Sequence, residues 1–296
     1  MAVGNTSAAQ WRAIEDVSAL AASTRRPWTE ISPTVIEDFQ RDGVIIMREA
    51  FPEWVEPLRD GLQRNLDNPQ NFAFPCESTG GDEPGRFFDS YCNWQLIPEY
   101  LLFAFTSHAA SIAAQLMQSK TAQLFHEHAF AKEPGTQKAT PWHHDLPYYC
   151  IDGTKTVSIY IALDVIPAPT AVRFFKGSHQ DGNTYRPRDF ASGTEYDHND
   201  TSLISAPDID PDGTHVFVEA LEPGDALCFD FRTLHGTTAA EIKNRRRAFS
   251  TRWMGDDVRY LERQGETSPP LQNLGLQSGD VMRHDLFPVL WHPPHD

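Results

Sequence analysis

Apolar residues recur at helical spacing through the first third of the chain and at strand-like spacing through most of the rest. Ser32 followed by Pro33 has the form of a helix cap with proline at the first position. Val35, Ile36 and Phe39 then line one side, and Asp42-Gly43 stops the helix. Val44, Ile45, Ile46 and Met47 read as a short strand, and Trp54, Leu58, Leu62 and Leu66 as the buried side of a second helix. Asn68 to Arg86, rich in Pro and Gly, reads as loop. The clearest helical pattern covers residues 98 to 118, where Leu101, Leu102, Phe105, Ala109, Ile112, Ala113 and Leu116 cover one face. Strands are then predicted at Leu124 to Lys132, Val157 to Leu163, Ala171 to Phe175, Val216 to Glu219, Ala226 to Phe229 and Ala248 to Trp253. Short strands broken by Pro, Gly and Asp, with no helix between them, argue for a mainly β sandwich or barrel and against a doubly wound sheet.

This pattern divides the chain into an arm over residues 1 to 30 and a single domain over 31 to 296. Within the domain, helical support spans about 31 to 120 and the β core about 121 to 256, followed by an extension over 257 to 296. The polar stretch from 180 to 215 is an insertion, either a lid or a surface excursion. Hydrophobic residues make up 40% of the 296, with 18 Phe, 8 Tyr and 7 Trp, enough for a sizeable core. Forty-one acidic against 25 basic residues give a charge of -16, which argues against a nucleic-acid surface. The nearest approach to a membrane span, LLFAF at 101 to 105, is interrupted by Thr106, Ser107 and His108. The first twenty residues lack a basic opening and an apolar run, so the cytoplasm is the expected compartment. Cys76, Cys92, Cys150 and Cys228 show no CxxC spacing and are expected to be reduced and mostly buried. Neither GxGxxG nor GxxxxGK occurs, so dinucleotide and P-loop sites have no support.

The chemistry concentrates in Pro141-Trp142-His143-His144-Asp145-Leu146-Pro147-Tyr148-Tyr149. On an extended chain residues i and i+2 point the same way, so His143 and Asp145 can share a metal while His144 faces elsewhere. The turn Glu222-Pro223-Gly224-Asp225 leads into a strand, and His235 follows it. Two imidazoles and one carboxylate make the facial triad of non-haem Fe(II) oxygenases, which leaves three positions for co-substrate and oxygen. On a strand over 246 to 253, Arg246, Ala248, Ser250 and Arg252 share one face. Arg246 can then hold the far carboxylate of 2-oxoglutarate with Ser250 assisting, while the keto acid end chelates iron.

The chain resembles the phytanoyl-CoA dioxygenase family of Fe(II)/2-oxoglutarate oxygenases from about Ser32 to Trp253. The likeness rests on DGVIIMREAF, KEPGT at 132 to 136, TPWHHDLPYY, KGSH at 176 to 179, EPGD, and LHGTT followed by RRRAFS. It implies a double-stranded β-helix, a jelly-roll, cupin-like barrel with flanking amino-terminal helices. It assigns iron to His143, Asp145 and His235, and 2-oxoglutarate to Arg246, with Lys132 facing the co-substrate or substrate. The family often has PGSH where this chain has Lys176-Gly177-Ser178-His179, and a glycine near Pro169 to Ala171, departures that bear on turns and not on the metal. Related halogenases replace the carboxylate with a small residue, so the retained Asp145 points to a hydroxylase or another oxidative catalyst. The implied reaction consumes O₂ and 2-oxoglutarate, releases succinate and carbon dioxide, and oxidises an unactivated C–H bond of a small, largely apolar substrate such as a natural-product intermediate.

Competing assignments follow from other residues. His126 and His128 have i, i+2 spacing and could hold zinc with a distant third ligand, or else line the barrel. His144 is expected to pack or support, His179 to hydrogen-bond its loop, and Arg245 and Arg247 to face outward. Trp142, Tyr148, Tyr149, Phe87 and Phe88 are candidate apolar lining; Arg86, Lys155, Arg173 and Lys176 are candidate contacts for an acidic substrate. A CoA thioester is disfavoured for want of a basic entrance. The rival classes are a zinc or other cupin-like hydrolase and a noncatalytic binding protein, and either a monomer or a homodimer is compatible with the sequence.

Overall fold

The computed structural model describes residues 27–72, 75–77, 85–189, 194–196, 201–271 and 273–292. Most of the expected arm, part of the 180–215 insertion and the side chain of Cys76 lie outside these residues. Helix α1 (Pro33–Asp42) starts as its sequence predicts: Ser32 Oγ accepts from Val35 N. It ends at Gly43, whose φ of 73° is left-handed and whose amide donates to Phe39 O. A Cβ there would sit 2.4 Å from His179 Nδ1, so this glycine is required by space as well as by conformation. Helix α2 (Val55–Asp67) buries Leu58, Leu62 and Leu66. Residues 98 to 118 form two helices and not one: α3 (Pro98–Thr106) and α4 (Ala109–Leu116). The break has a local cause, since Ser107 adopts extended dihedrals and its Oγ accepts from Ala109 N.

The helices pack against a curled antiparallel sheet built from β1 (Val44–Met47), β2 (Pro75–Glu77), β3 (Phe87–Tyr91), β4 (Ala122–Lys132), β7 (Thr156–Ala162), β10 (Ala226–Phe229) and β12 (Arg246–Met254). Its order is β1-β10-β7-β12-β4-β3-β2, and β14 (Val289–Trp291) pairs with β4. A second sheet, β5-β11-β8-β9, contains β5 (Thr140–His143), β8 (Arg173–Phe175), β9 (Val216–Phe217) and β11 (His235–Thr237). β6 (Ile151–Asp152) and β13 (Arg259–Tyr260) form a small ribbon. This is the jelly-roll, double-stranded β-helix arrangement expected from the sequence. Strand β3 begins at the end of the stretch read as loop, and most of its residues are buried.

Pairing register decides what faces the interior. Arg246, Ala248, Ser250 and Arg252 of β12 lie opposite Lys132, Phe130, His128 and His126 of β4. Phe87, Asp89 and Tyr91 of β3 lie opposite Lys132, Phe130 and His128 in turn. Tyr160 and Ser158 of β7 face Ser250 and Arg252. Because side chains alternate along each strand, these residues share one face of the large sheet. The other face buries Phe249, Leu124, Ile159 and Ile161 in the principal apolar cluster with the helices. No helix among the described residues is long and apolar enough to cross a membrane.

Candidate active site

His143 ends β5 and His235 begins β11, and the two are direct partners in the ladder. Gly236 lets these backbones approach, since a Cβ there would meet Thr140 O at 2.8 Å. Contrary to the i, i+2 expectation, Asp145 is not on an extended strand. β5 stops at His143, and Asp145, with φ −72° and ψ −35°, opens the helical turn Leu146–Tyr148. That turn still brings the carboxylate back toward the imidazoles: Asp145 Oδ1 lies 3.7 Å from His143 Nε2 and 3.7 Å from His235 Nε2.

Both imidazoles are aimed by a carbonyl two positions earlier in the chain. His143 Nδ1 donates to Pro141 O at 2.9 Å and His235 Nδ1 donates to Thr233 O at 2.9 Å. Each Nε2 is thereby left as a lone pair directed at the shared space. Burial, and then the neighbouring His235, holds His143 down to about 3, and burial lowers His235, so both rings are neutral at physiological pH. Burial raises Asp145, but Arg252 and the two histidines outweigh it and hold the carboxyl at about 2. Among the described residues these are the three whose donor atoms converge, all within 4.8 Å of one another. Two neutral imidazoles and an ionised carboxylate, all buried, match the donor set of Fe(II) in a facial triad.

The triad opens on one cavity, which extends along the inner face of β12. Phe87, Lys132, Tyr148, Tyr149, Arg246 and Ser250 are all on its wall, as expected from the sequence. Arg246 is 8% exposed, donates to Thr170 O through Nη1, and donates to Tyr160 Oη at 3.1 Å through Nη2. Lys132, also buried, donates to Lys138 O at 3.1 Å and lies 4.8 Å from the Phe87 ring centre. Burial and the charge of Arg246 push its ammonium down to about 7.

Other sequence candidates fall elsewhere. His144 accepts from Tyr185 N at 2.9 Å through Nε2 and packs on that ring, and His179 Nε2 reaches Gln40 O, so both serve the structure around the barrel. Arg245 pairs with Glu133 and Arg247 with Asp164, both away from the cavity. Trp142 and Phe88 are not on its wall, nor are Arg86, Lys155, Arg173 and Lys176. Lys155 is engaged by Asp256 and Lys176 by Asp42, while Arg86 lies against the Phe88 ring and Arg173 near Asp212. His126 and His128 do line the cavity, without a third ligand among the described residues, which leaves the zinc assignment unsupported. Sequence reasoning missed Tyr160, Asp89, Tyr91 and Ser268, all on the wall.

The sequence matches the family description Phytanoyl-CoA dioxygenase (PhyH) over residues 39–248. No curated protein matches it significantly. Among solved structures it is similar to SnoK, a non-heme alpha ketoglutarate dependent carbocyclase from nogalamycin biosynthesis, with TM-score 0.67 and 18% identity over 90% of this chain and 100% of that one. It is also similar to EvdO2 from Micromonospora carbonacea var. aurantiaca complexed with 2-oxoglutarate (TM-score 0.57, 22% identity, 84% of this chain and 100% of that one). EctD from S. alaskensis, solved with 2-oxoglutarate and 5-hydroxyectoine, gives TM-score 0.61 and 18% identity over 87% of this chain and 89% of that one. At these identities the structures establish the shared fold. The chain belongs to the phytanoyl-CoA dioxygenase family and is an Fe(II)/2-oxoglutarate-dependent oxygenase acting on a small organic substrate.

Proposed function

We propose that the enzyme hydroxylates, or otherwise oxidises, an unactivated C–H bond of a largely apolar small molecule, with His143, Asp145 and His235 as the iron ligands. The observation that carries this reading is the convergence of the three donor sets, each imidazole already aimed by its own carbonyl. Iron held there with 2-oxoglutarate supplies oxygen activation coupled to loss of carbon dioxide and formation of succinate. Arg246 binds the far carboxylate of 2-oxoglutarate, backed by Tyr160 Oη and Thr170 O, and Lys132 adds charge from the opposing strand. Phe130, Val172, Phe229 and the tyrosines exclude water and orient the apolar body.

Residues 31–296 act as one catalytic domain on this reading, because the carboxy-terminal extension supplies both Ser268 to the cavity and β14 to the large sheet. Dependence on ferrous iron and a central metabolite, together with free thiols at Cys92, Cys150 and Cys228, favours the cytoplasm. Anaerobic titration with Fe(II) and then 2-oxoglutarate tests the assignment. A weak visible charge-transfer band is expected in the parent, absent in His143→Ala and diminished in Arg246→Ala. An undiminished band in both variants overturns it.

A further inference from the structure

The cavity wall beyond the triad, away from Arg246, carries polar atoms that the proposed reaction does not use. Arg252 is 6% exposed; its Nε donates to Tyr149 Oη at 2.5 Å and lies 3.6 Å from Asp145 Oδ2, while Nη1 has no hydrogen-bond partner among the described residues. Directly opposite on β4, His126 is 2% exposed, and its Nε2 has no hydrogen-bond partner among the described residues. Its Nδ1 faces Glu127 O at 3.1 Å, a contact only an N–H can make, so Nε2 of the neutral ring is an acceptor. Ser250 Oγ, expected from the sequence to assist Arg246, is buried between that residue and this cluster and has no hydrogen-bond partner among the described residues. Buried donors and acceptors without partners are costly, and here they share one cavity.

The electrostatics select the ligand. Fe(II) and the 2-oxoglutarate dianion cancel in charge. With the dianion bound, Lys132 is held in its protonated form, and of the remaining charged groups on the wall Lys132, Arg246 and Arg252 then exceed Asp89 and Asp145 by one positive charge. Once Asp145 is committed to a metal, Arg252 keeps a neutral phenol as its hydrogen-bond partner and lacks a full counter-charge. A buried guanidinium in that position favours an incoming anionic oxygen.

We propose that Arg252, His126 and Ser250 form the head-group subsite of the organic substrate, which takes a monoanionic hydroxy acid. The carboxylate accepts from Arg252 Nη1 and Ser250 Oγ, and the neighbouring hydroxyl donates to His126 Nε2. The apolar remainder of such a substrate lies along the aromatic wall, among Phe130, Tyr148 and Phe229. This deepens the oxygenase reading and rests on it, because Arg252 loses its counter-charge only if Asp145 is a metal ligand.

The test is calorimetric. Enzyme loaded with Fe(II) and saturating 2-oxoglutarate under anaerobic conditions is titrated with 3-hydroxyoctanoate, octanoate, octanamide and octan-1-ol. The expected order places 3-hydroxyoctanoate first and both acids at least about tenfold tighter than the amide and the alcohol. Arg252→Gln is expected to abolish the preference for acid over amide, while Arg252→Lys retains part of it. His126→Phe is expected to remove the gain from the hydroxyl alone. The parent comparison needs no variant, so a misfolded substitution leaves the question answerable. Equal binding of acid and amide by the parent, no measurable binding of either acid, or an acid preference that survives in Arg252→Gln overturns the proposal. If the charge-transfer band is intact in the same samples, the oxygenase reading stands while the subsite falls; if the band is missing, the oxygenase reading itself has failed.

Discussion

Arg246 and Arg252 point from the same face of β12 into the same cavity, yet their surroundings differ. Arg246 is backed by a backbone carbonyl and a phenol, with no carboxylate in ion-pair contact among the described residues. Its positive charge is fixed in place and left for a ligand, which suits a co-substrate that is itself doubly charged. Arg252 lies beside Asp145, so its charge is partly neutralised as long as that carboxylate is not given to a metal. On the proposed reading one arginine is an unconditional anchor, and the other gains strength for an anion only after the centre between them is filled. The difference teaches that identical residues on one strand acquire distinct tasks from what their neighbours withhold.

The largest effect that sharpens this comparison is on 2-oxoglutarate itself. Arg246→Ala is expected to raise its Kd by about a hundredfold or more, since the buried anchor for a carboxylate is removed, while Arg252→Lys leaves that Kd within about twofold. Titration of the charge-transfer band measures both; equal losses in the two variants would erase the division of labour. A smaller effect, with a definite pH dependence, belongs to Lys132. Its ammonium titrates at about 7 in the free protein, and a bound dianion raises that value, so binding takes up a proton. Affinity for 2-oxoglutarate is thus fully expressed below pH 7 and declines as the pH rises above it. Lys132→Met should lose about tenfold at pH 6, approach the parent at higher pH, and show a flat profile between; a parent profile that is itself flat would remove Lys132 from the subsite. The smallest effect is expected from Tyr160→Phe, which deletes one hydrogen bond behind Arg246 and should weaken 2-oxoglutarate by about threefold to tenfold in the same titration.

Much of this site was legible in the chain because its signals are local. His143 and Asp145 are neighbours in sequence, His235 follows a turn-and-strand pattern, and the alternation from Arg246 to Arg252 specifies a common face once a strand is assumed. The backbone joining His143 to Asp145 is not legible in the same way, since a strand that ends in a helical turn presents the same two side chains as an extended one. Strand β3 was harder to see: Phe88, Ser90 and Tyr91 are all buried, so hydrophobic alternation cannot reveal that Phe87, Asp89 and Tyr91 face the cavity. Tyr160 sits in a strand buried on both sides, where periodicity does not tell inside from outside. Ser268 reaches the cavity from the carboxy-terminal extension, where its Oγ meets Tyr91 Oη at 3.1 Å, a contact between distant segments that has no local signature. The helix break at Ser107 was hidden because Phe105 and Ala109 keep a helical spacing across it.

The tether from each iron-binding imidazole to the carbonyl two residues upstream has an evolutionary implication. Orientation of the oxidising end is encoded within two tripeptides, Pro141 to His143 and Thr233 to His235, and asks little of remote sequence. Mutational drift can therefore remodel the inner surface of β3, and on the proposed reading the choice of molecule transformed with it, while the reactive end keeps its aim. Diversification of this kind accords with a common scaffold persisting where fewer than a quarter of positions coincide, and it marks that strand as a place to begin when a new specificity is engineered.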